Sequence, residues 1–164
     1  MQRPNEFPTL QAKADRYATL TIEIAAVLAG ENDLTARMAT VAAMLMATFE
    51  AFSWTGFYRV DPQDPHQLVV GPYQGPMGCL RIEFGRGVCG ASALRGETIV
   101  VADVDEFPGH IACDSRSRSE IVTPVRDPAG ALIAVLDIDS NQLNAFDSVD
   151  AAALEMIVRS AFAG

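Results

Sequence analysis

The amino-acid sequence predicts an α+β fold, with helices at the two ends of the chain and a mainly antiparallel sheet between them. Alanine- and leucine-rich segments precede residue 53 and follow residue 146. The intervening part is rich in β-branched and aromatic residues, and glycine and proline punctuate it. With 164 residues the chain is long enough to bury one core, and we expect residues 1–164 to form a single domain.

Three terminal helices follow from their composition and their end signals. Residues 9–28 are rich in Ala, Leu and Ile, and they stop near Gly30, a residue that commonly ends a helix. Residues 33–52 form the second expected helix, with Asp33 as its N-cap. Asp147 is expected to cap the last helix.

The expected strands are short β-branched or aromatic segments bounded by turn residues. They cover residues 54–60, 67–70, 81–84, 98–101, 121–125 and 131–138. A short helix is expected over residues 88–94. The polar segment 103–119 is expected to be a functional loop, because long irregular segments of compact domains usually carry binding or catalytic groups.

The charge of the chain limits its partners. It has 12 Lys and Arg against 21 Asp and Glu, a formal net charge of −9, and no cluster of basic residues. This balance argues against binding to nucleic acid or to an anionic membrane. No segment has the length of apolar sequence that a membrane span or a signal peptide needs. We therefore expect a cytoplasmic protein that acts on a small molecule or a protein partner.

The three cysteines, Cys79, Cys89 and Cys113, cannot all be paired within one chain. In a reducing compartment such cysteines are either buried apolar residues or reactive thiols. Cys89 is expected at a helix N-terminus, where the backbone dipole favours the thiolate, although a simple buried residue fits equally well. Cys113 lies in the polar loop, which favours a reactive thiol. His110, three residues before it, is either a positive partner for the thiolate or a surface residue, and the adjacent Asp114 is expected to oppose the thiolate. Cys79 by itself is unremarkable.

Two cofactor motifs are weak in this sequence. Gly85, Gly87 and Gly90 have G-x-G-x-x-G spacing, but no parallel strand with an acidic ribose partner follows, so close backbone packing at a turn is favoured. No CxxC or HxxxH pair is present, and the cysteines are far apart in the sequence. A metal site is therefore not expected.

Three carboxylates are candidates for one site. Asp137 and Asp139 are two residues apart in a predicted strand and so lie on the same side of it. Glu120 precedes the partner strand. Carboxylates beside an apolar strand cost free energy unless they are solvated, paired or used. They are either solvated strand ends or parts of one functional cluster.

Seven segments, in this order along the chain, resemble the GAF-domain free methionine-R-sulfoxide reductases. They are Trp54-Thr-Gly-Phe-Tyr58, Gly71-Pro-Tyr-Gln-Gly75, Cys79-Leu-Arg-Ile82, Gly85-Arg-Gly-Val-Cys-Gly90, Gly109-His-Ile-Ala-Cys-Asp114, Ser119-Glu-Ile-Val122 and Leu136-Asp-Ile-Asp-Ser140. The resemblance implies a GAF-like sheet of about six strands with helices mainly on one face. It also implies a homodimer, and a pocket closed by the loops that carry the cysteines.

The resemblance further implies an activity. Cys113 attacks the sulfoxide sulfur of free methionine-R-sulfoxide and becomes a sulfenic acid. Cys79 then forms a disulfide with it, with Cys89 as a further relay or an alternative. Thioredoxin reduces the disulfide, using NADPH through thioredoxin reductase, and no cofactor is bound. The dipole would instead make Cys89 the most acidic thiol, and between the two the resemblance favours Cys113 as the attacker.

The resemblance gives the remaining residues roles in substrate binding. Glu120 and Asp139 match positions that hold and polarise the sulfoxide, which leaves Asp137 for the substrate ammonium. Trp54 and Tyr58 are expected to form an apolar wall for the methyl group.

Two other functions remain open at this stage. They are a non-catalytic GAF sensor that binds a small ligand, and a peroxide sensor that uses the same thiols. The presence of all three cysteines together with Glu120 and Asp139 favours the reductase.

Overall fold

The computed structural model describes residues 6–111 and 113–164, so residues 1–5 of the predicted domain and residue 112 of the predicted loop lie outside the described residues. Its helices are α1 (Leu10–Val27), α2 (Leu34–Thr48), α3 (Gly87–Arg95) and α4 (Ser148–Val158). Its strands are β1 (Trp54–Asp61), β2 (Asp64–Gln74), β3 (Arg81–Glu83), β4 (Ile99–Val101), β5 (Ser119–Arg126) and β6 (Leu132–Ser140). Every helix and strand expected from the sequence is present, with ends that differ by a few residues.

Side-chain caps begin the first two helices, and the one predicted at Asp33 is confirmed. Thr9 Oγ1 accepts a hydrogen bond from the Ala12 N–H at 3.0 Å, and Asp33 Oδ1 accepts one from the Ala36 N–H at 2.8 Å. The second helix was expected to run to residue 52 but ends at Thr48. Phe49 leaves the helical conformation, with φ −114° and ψ 113°, and its ring packs in the core.

The N-terminus of α4 is joined to α1 by a buried polar cluster. Asp147 is the N-cap of α4, as predicted, and Asp150 completes a capping box with it. Lys13 of α1 forms ion pairs with both carboxylates, and the Tyr17 hydroxyl donates to Asp150 at 2.7 Å. Asp150 is only 1% exposed, so these partners offset the cost of burying its charge.

The described strands form one antiparallel sheet in the order β3-β2-β1-β6-β5-β4. This confirms the expected α+β fold and the six-stranded sheet. β2 is longer than the segment 67–70 predicted for it. Pro65 and Pro72 lie near its two ends, and proline is unusual in strands, so the sequence pattern predicted too short a strand. Pro72 lies at a register shift in the pairing with β1, where a residue without an N–H breaks no ladder hydrogen bond.

Both faces of the sheet are covered. On one face α1, α2 and α4 pack on strand residues such as Phe57, Ile121 and Leu136. On the other face α3 and the loops pack on a second apolar cluster that includes Tyr58 and Val135. The helices therefore lie mainly on one face, as expected. None of the helices in the described part of the chain is long and apolar enough to cross a membrane.

The glycine-rich segment is a tightly packed turn into α3. Gly85 and Gly87 have φ of +83° and +60°, which glycine adopts without strain. The Gly85 N–H donates to the Gly90 carbonyl at 2.8 Å. A Cβ atom on Gly90 would lie 2.3 Å from the carbonyl oxygen of Glu83. The packing interpretation of this motif is confirmed, and the contact seats the first turn of α3 against β3.

Gly90→Ala tests this contact. At a helical position with space for a side chain, replacing Gly by Ala increases the stability of the protein by up to about 1 kcal/mol. At Gly90 the added methyl must displace the backbone of β3, so we expect a loss of about 1–3 kcal/mol in the free energy of unfolding. Urea unfolding of the variant and the parent measures the difference, and a more stable variant would contradict the close contact.

Candidate active site

The second face of the sheet carries the three candidate carboxylates in adjacent positions. In the register of β1, β6 and β5, Asp139 lies between Trp54 and Glu120. Asp137 occupies the next position on the same side of β6. The prediction that Asp137 and Asp139 share one side of the strand is therefore correct. The first turn of α3 lies over this face and brings Cys89 to the carboxylates.

A cleft opens above these strands. It is lined by Trp54, Tyr58, Met77, Gly78, Ile82, Arg86, Gly87, Val88, Cys89, His110, Ile111, Cys113, Asp114, Ser117, Glu120, Asp137 and Asp139. All the site residues predicted from the sequence line this cleft except Cys79, which is bonded to one of them. The polar loop 103–119 supplies one wall, which agrees with its expected functional character.

Cys79 and Cys113 are joined by a disulfide at the mouth of the cleft, with their Cα atoms 5.6 Å apart. They are 34 residues apart in the sequence, and the disulfide ties the polar loop to the segment before β3. Cys89 is free and 4% exposed. The structure thus pairs the two cysteines that the resemblance favours and leaves the third beneath them.

Stacked aromatic rings form one wall of the cleft. The Trp54 ring stacks on Tyr58, with centroids 5.6 Å apart, and on Tyr73, with centroids 5.0 Å apart. The Trp54 indole N–H donates to the Pro76 carbonyl at 2.9 Å, which fixes the orientation of the ring. At Gly78 an added Cβ would lie 2.9 Å from the Tyr58 hydroxyl. Because glycine has no side chain, the aromatic wall stays open to the cleft at this position.

Burial and mutual repulsion perturb all three carboxyl groups. Burial, and then the charge of Asp139, raise the pKa of Glu120 from 4.5 to about 8. Burial and Glu120 raise the pKa of Asp137 well above its usual range, and burial and Asp137 do the same for Asp139. At neutral pH the cluster therefore retains protons and can donate them to a bound group.

The environment of Cys89 overturns the expectation that it is the most acidic thiol. The thiol does lie in the first turn of α3, but burial and the charges of Asp137 and Glu120 raise its pKa well above 9.0. Its Sγ lies 3.9 Å from Glu120 Oε1. Desolvation beside carboxylates outweighs the helix dipole, so Cys89 stays protonated.

His110 was expected to be a positive partner for Cys113, but its side chain faces Glu120. The distance from His110 Nε2 to Glu120 Oε2 is 3.6 Å. Burial lowers the pKa of the imidazole, so the ring is neutral near pH 7. Asp114, which was expected to oppose the Cys113 thiolate, instead forms an ion pair with Arg116 at 3.1 Å.

Several residues of the cleft were not identified from the sequence. Met77, Arg86 and Ser117 line it, and Tyr73 supports its aromatic wall. Signals were available for three of them, because Tyr73 and Arg86 lie within the segments that resemble the family and Met77 lies two residues before Cys79. Ser117 reaches the site through the packing of the polar loop, which no local pattern records.

Two buried polar atoms of residues that line the cleft, Ser117 Oγ and Asp137 Oδ1, have no hydrogen-bond partner among the described residues. Asp137 Oδ1 is buried, and no hydrogen-bond donor among the described residues reaches it. A buried carboxylate oxygen without a donor costs free energy, which a bound cationic group would recover. The fold also brings Cys89, Glu120 and Asp137 within metal-binding distance of one another, although their sequence spacing forms no known metal motif.

Comparisons with known proteins agree with this arrangement. Residues 29–161 match the family model described as GAF domain. The chain is 46% identical over 148 residues to GAF domain-containing protein A of Dictyostelium discoideum, covering 90% of this chain and 91% of that protein. It is 40% identical over 146 residues to the free methionine-R-sulfoxide reductase of Escherichia coli, covering 89% of this chain and 86% of that protein.

A solved structure is also similar to this chain over most of its length. The X-ray structure of free methionine-R-sulfoxide reductase from Neisseria meningitidis, in complex with its substrate, superposes with a TM-score of 0.86. The two chains share 46% sequence identity, and the match covers 91% of this chain and 87% of that one. The resemblance inferred from the seven sequence segments is confirmed.

Glu120→Gln tests the buried carboxyl cluster through the pH dependence of stability. The folded protein holds the Glu120 proton up to about pH 8, whereas the unfolded chain releases it near pH 4.5. The folded state binds more protons between these values, so the parent loses stability as the pH rises through them. The variant lacks this loss. We expect its stability relative to the parent to rise with pH by a few kcal/mol, on the order of 1.4 per pKa unit.

The control is Glu97→Gln at an exposed position, for which the difference from the parent should stay flat with pH. Urea unfolding at a series of pH values measures both variants. A Glu120→Gln difference that is independent of pH would contradict the raised pKa.

Proposed function

This chain belongs to the GAF domain family, and from that premise we propose that it is an enzyme that reduces free methionine-R-sulfoxide to methionine. The observation that carries the proposal is a disulfide between Cys79 and Cys113 at the mouth of a cleft that holds buried, protonated carboxyl groups. Relatives with the name of this reductase are similar over most of the chain. The site combines a thiol, a proton donor and an apolar wall, which are the groups that sulfoxide reduction needs.

In the first step the Cys113 thiolate attacks the sulfoxide sulfur. The sulfur–oxygen bond of the substrate breaks, the oxygen passes to Cys113, and a carboxylic acid supplies the proton. The products are methionine and Cys113 sulfenic acid, so the substrate sulfur gains two electrons and the cysteine sulfur loses two. Glu120 and Asp139 are the proposed donors, because their raised pKa values keep a proton at neutral pH.

In the second step the Cys79 thiol attacks the sulfenic sulfur of Cys113, which releases water and forms the disulfide. A Cα separation of 5.6 Å suits this bond. Cys89 was the alternative resolving thiol. Its raised pKa and its burial beneath the carboxyl groups oppose its reaction, so we propose Cys79 for this role.

In the third step a dithiol protein of the thioredoxin type reduces the disulfide, with NADPH as the electron source through thioredoxin reductase. Cys113 is exposed in the disulfide form, so a partner thiolate can reach its sulfur. The cycle needs no bound cofactor. It needs a compartment that keeps thiols reduced, which supports a cytoplasmic location.

Substrate binding is proposed to use the partnerless oxygen of Asp137 and the aromatic wall. Asp137 Oδ1 would accept a hydrogen bond from the α-ammonium group, which a methionine within a peptide lacks. Trp54 and Tyr58 would pack on the methyl and methylene groups. The contact between Asp137 and the α-ammonium group, together with the aromatic wall, accounts for a preference for the free amino acid.

We also propose that residues 1–164 form one GAF domain and that the protein is a homodimer. The outward side of α1 supports the dimer, because Ile22 is 72% exposed and the residues near it, Ala18, Ala25 and Ala29, are small and apolar. A second copy that covers this side would bury mainly small apolar side chains around Ile22, with the exposed Thr19 and Asp15 near its edge.

The proposed activity is tested by incubating the protein with free methionine-R-sulfoxide, thioredoxin, thioredoxin reductase and NADPH. We expect NADPH consumption with the R epimer and little with the S epimer, since the cleft fixes both the methyl group and the oxygen. Cys113→Ser should abolish methionine formation. Cys79→Ser should form methionine in a single turnover but should not recycle with thioredoxin. No turnover of the R epimer, or equal turnover of both epimers, would refute the assignment.

The proposed role of Asp137 is tested by Asp137→Asn, which keeps the shape of the side chain but cannot ionise when the substrate ammonium binds beside it. Loss of a charged hydrogen bond worth about 1.5–3 kcal/mol should raise KM about ten- to a hundredfold. The matched variant Asp139→Asn should mainly lower kcat. Steady-state kinetics separate the two effects. A KM for Asp137→Asn within a factor of about two of the parent would contradict the assignment.

A further inference from the structure

We propose that Cys89, Glu120 and Asp137 form a binding site for a thiophilic divalent cation of the Zn²⁺ class. Cys89 Sγ and one carboxylate oxygen from each of the other two residues all lie within 4.8 Å of one another. The Sγ to Glu120 Oε1 distance is 3.9 Å. Ligand atoms of a four-coordinate metal stand at about this separation when each is about 2.0–2.3 Å from the ion.

The scaffold holds these three side chains rigidly. Glu120 and Asp137 lie on the adjacent strands β5 and β6, two register positions apart on the same face, and Cys89 lies in the first turn of α3. The Gly90 backbone packs directly on β3 and so fixes that turn. A cation would therefore meet a nearly formed ligand set, with little ordering cost.

A second and independent observation points to a missing cation. Asp137 Oδ1 is buried and has no hydrogen-bond donor among the described residues. In a cleft that also contains Glu120 and Asp139, this oxygen lacks a positive partner. Metal coordination satisfies such an oxygen at once.

One thiolate and two carboxylates are a ligand set that favours Zn²⁺ or Cd²⁺ over Mg²⁺ or Ca²⁺, which prefer oxygen alone. The His110 imidazole lies at the edge of this set. Its Nε2 is 3.6 Å from Glu120 Oε2, but it is not one of the side chains whose ligand atoms all lie within 4.8 Å of one another. The three protein ligands therefore leave a fourth position of the metal open.

Binding exchanges protons for the cation. The thiol and the two carboxyl groups lose up to three protons as the metal–sulfur and metal–oxygen bonds form, and no electrons are transferred. The cluster, which is neutral while it holds its three protons, then carries one net negative charge. Affinity should therefore increase as the pH rises.

The site remains present when the other two cysteines are oxidised. In the disulfide form Cys89 is the free thiol of the chain's three cysteines. In the disulfide form Cys79 and Cys113 have no free thiol to bind a metal ion, so a cation bound by this form can be assigned to the Cys89 site. Because the cation would occupy the oxygen proposed for the substrate ammonium, it should compete with substrate, a consequence that rests on the proposed function.

The test is a Cd²⁺ titration of the disulfide form in a buffer without chelator, followed by the ultraviolet thiolate-to-cadmium charge-transfer band. We expect saturation at one cadmium ion per chain and release of protons. Cys89→Ser should abolish the band, and Asp137→Asn should weaken binding about tenfold or more. Excess Mg²⁺ should not displace the cadmium. Trp54 fluorescence and urea unfolding check that each variant is folded.

The control is Asp114→Asn, at the mouth of the cleft, which should leave Cd²⁺ affinity unchanged. No band in the parent, or a band unaffected by Asp137→Asn and Glu120→Gln, would refute the site. These readouts do not require turnover, so failure of the reductase assay leaves this test intact. If the protein is active, Zn²⁺ should raise the KM for methionine-R-sulfoxide.

Discussion

The burial of three carboxyl groups on adjacent strands is the constraint on which the rest of the site depends. Glu120, Asp137 and Asp139 lie side by side under α3 and the polar loop, where the full charge of each would be costly. The cluster therefore retains protons at neutral pH. The proposed proton donation to a sulfoxide, the proposed capture of an ammonium group and the proposed affinity for a metal ion all depend on this one arrangement.

The same constraint divides the roles of the thiols. Cys89 lies against the carboxyl cluster, so its proton is held and its sulfur reacts poorly. Cys113 is at the mouth of the cleft, away from the cluster and within bonding distance of Cys79. In the proposed mechanism, redox chemistry at the surface and proton chemistry in the interior are thus separated within one cleft. The proposed reducing partner would reach the disulfide without exposing the buried acids.

Close backbone packing holds this geometry in place. Gly90 sets the first turn of α3 against β3, and Gly56 lets the Trp54 and Tyr73 rings stack where a Cβ would lie 2.2 Å from Tyr73 Cβ. Neither position tolerates a side chain, because the neighbouring atoms belong to strands fixed by the sheet. The glycines that suggested a nucleotide loop in the sequence are therefore packing elements that shape the cleft.

The sequence by itself determined the element types, the caps at Asp33 and Asp147, and the common side of Asp137 and Asp139. These features depend on contacts within a few residues, so periodicity and capping residues record them. The order of seven short segments also indicated the family and the site residues. Only the tertiary structure decided that Cys79 meets Cys113, that His110 faces Glu120 and that Cys89 is protonated. Proximity across 34 residues follows from strand register and loop packing, and a pKa follows from burial, neither of which a local pattern contains.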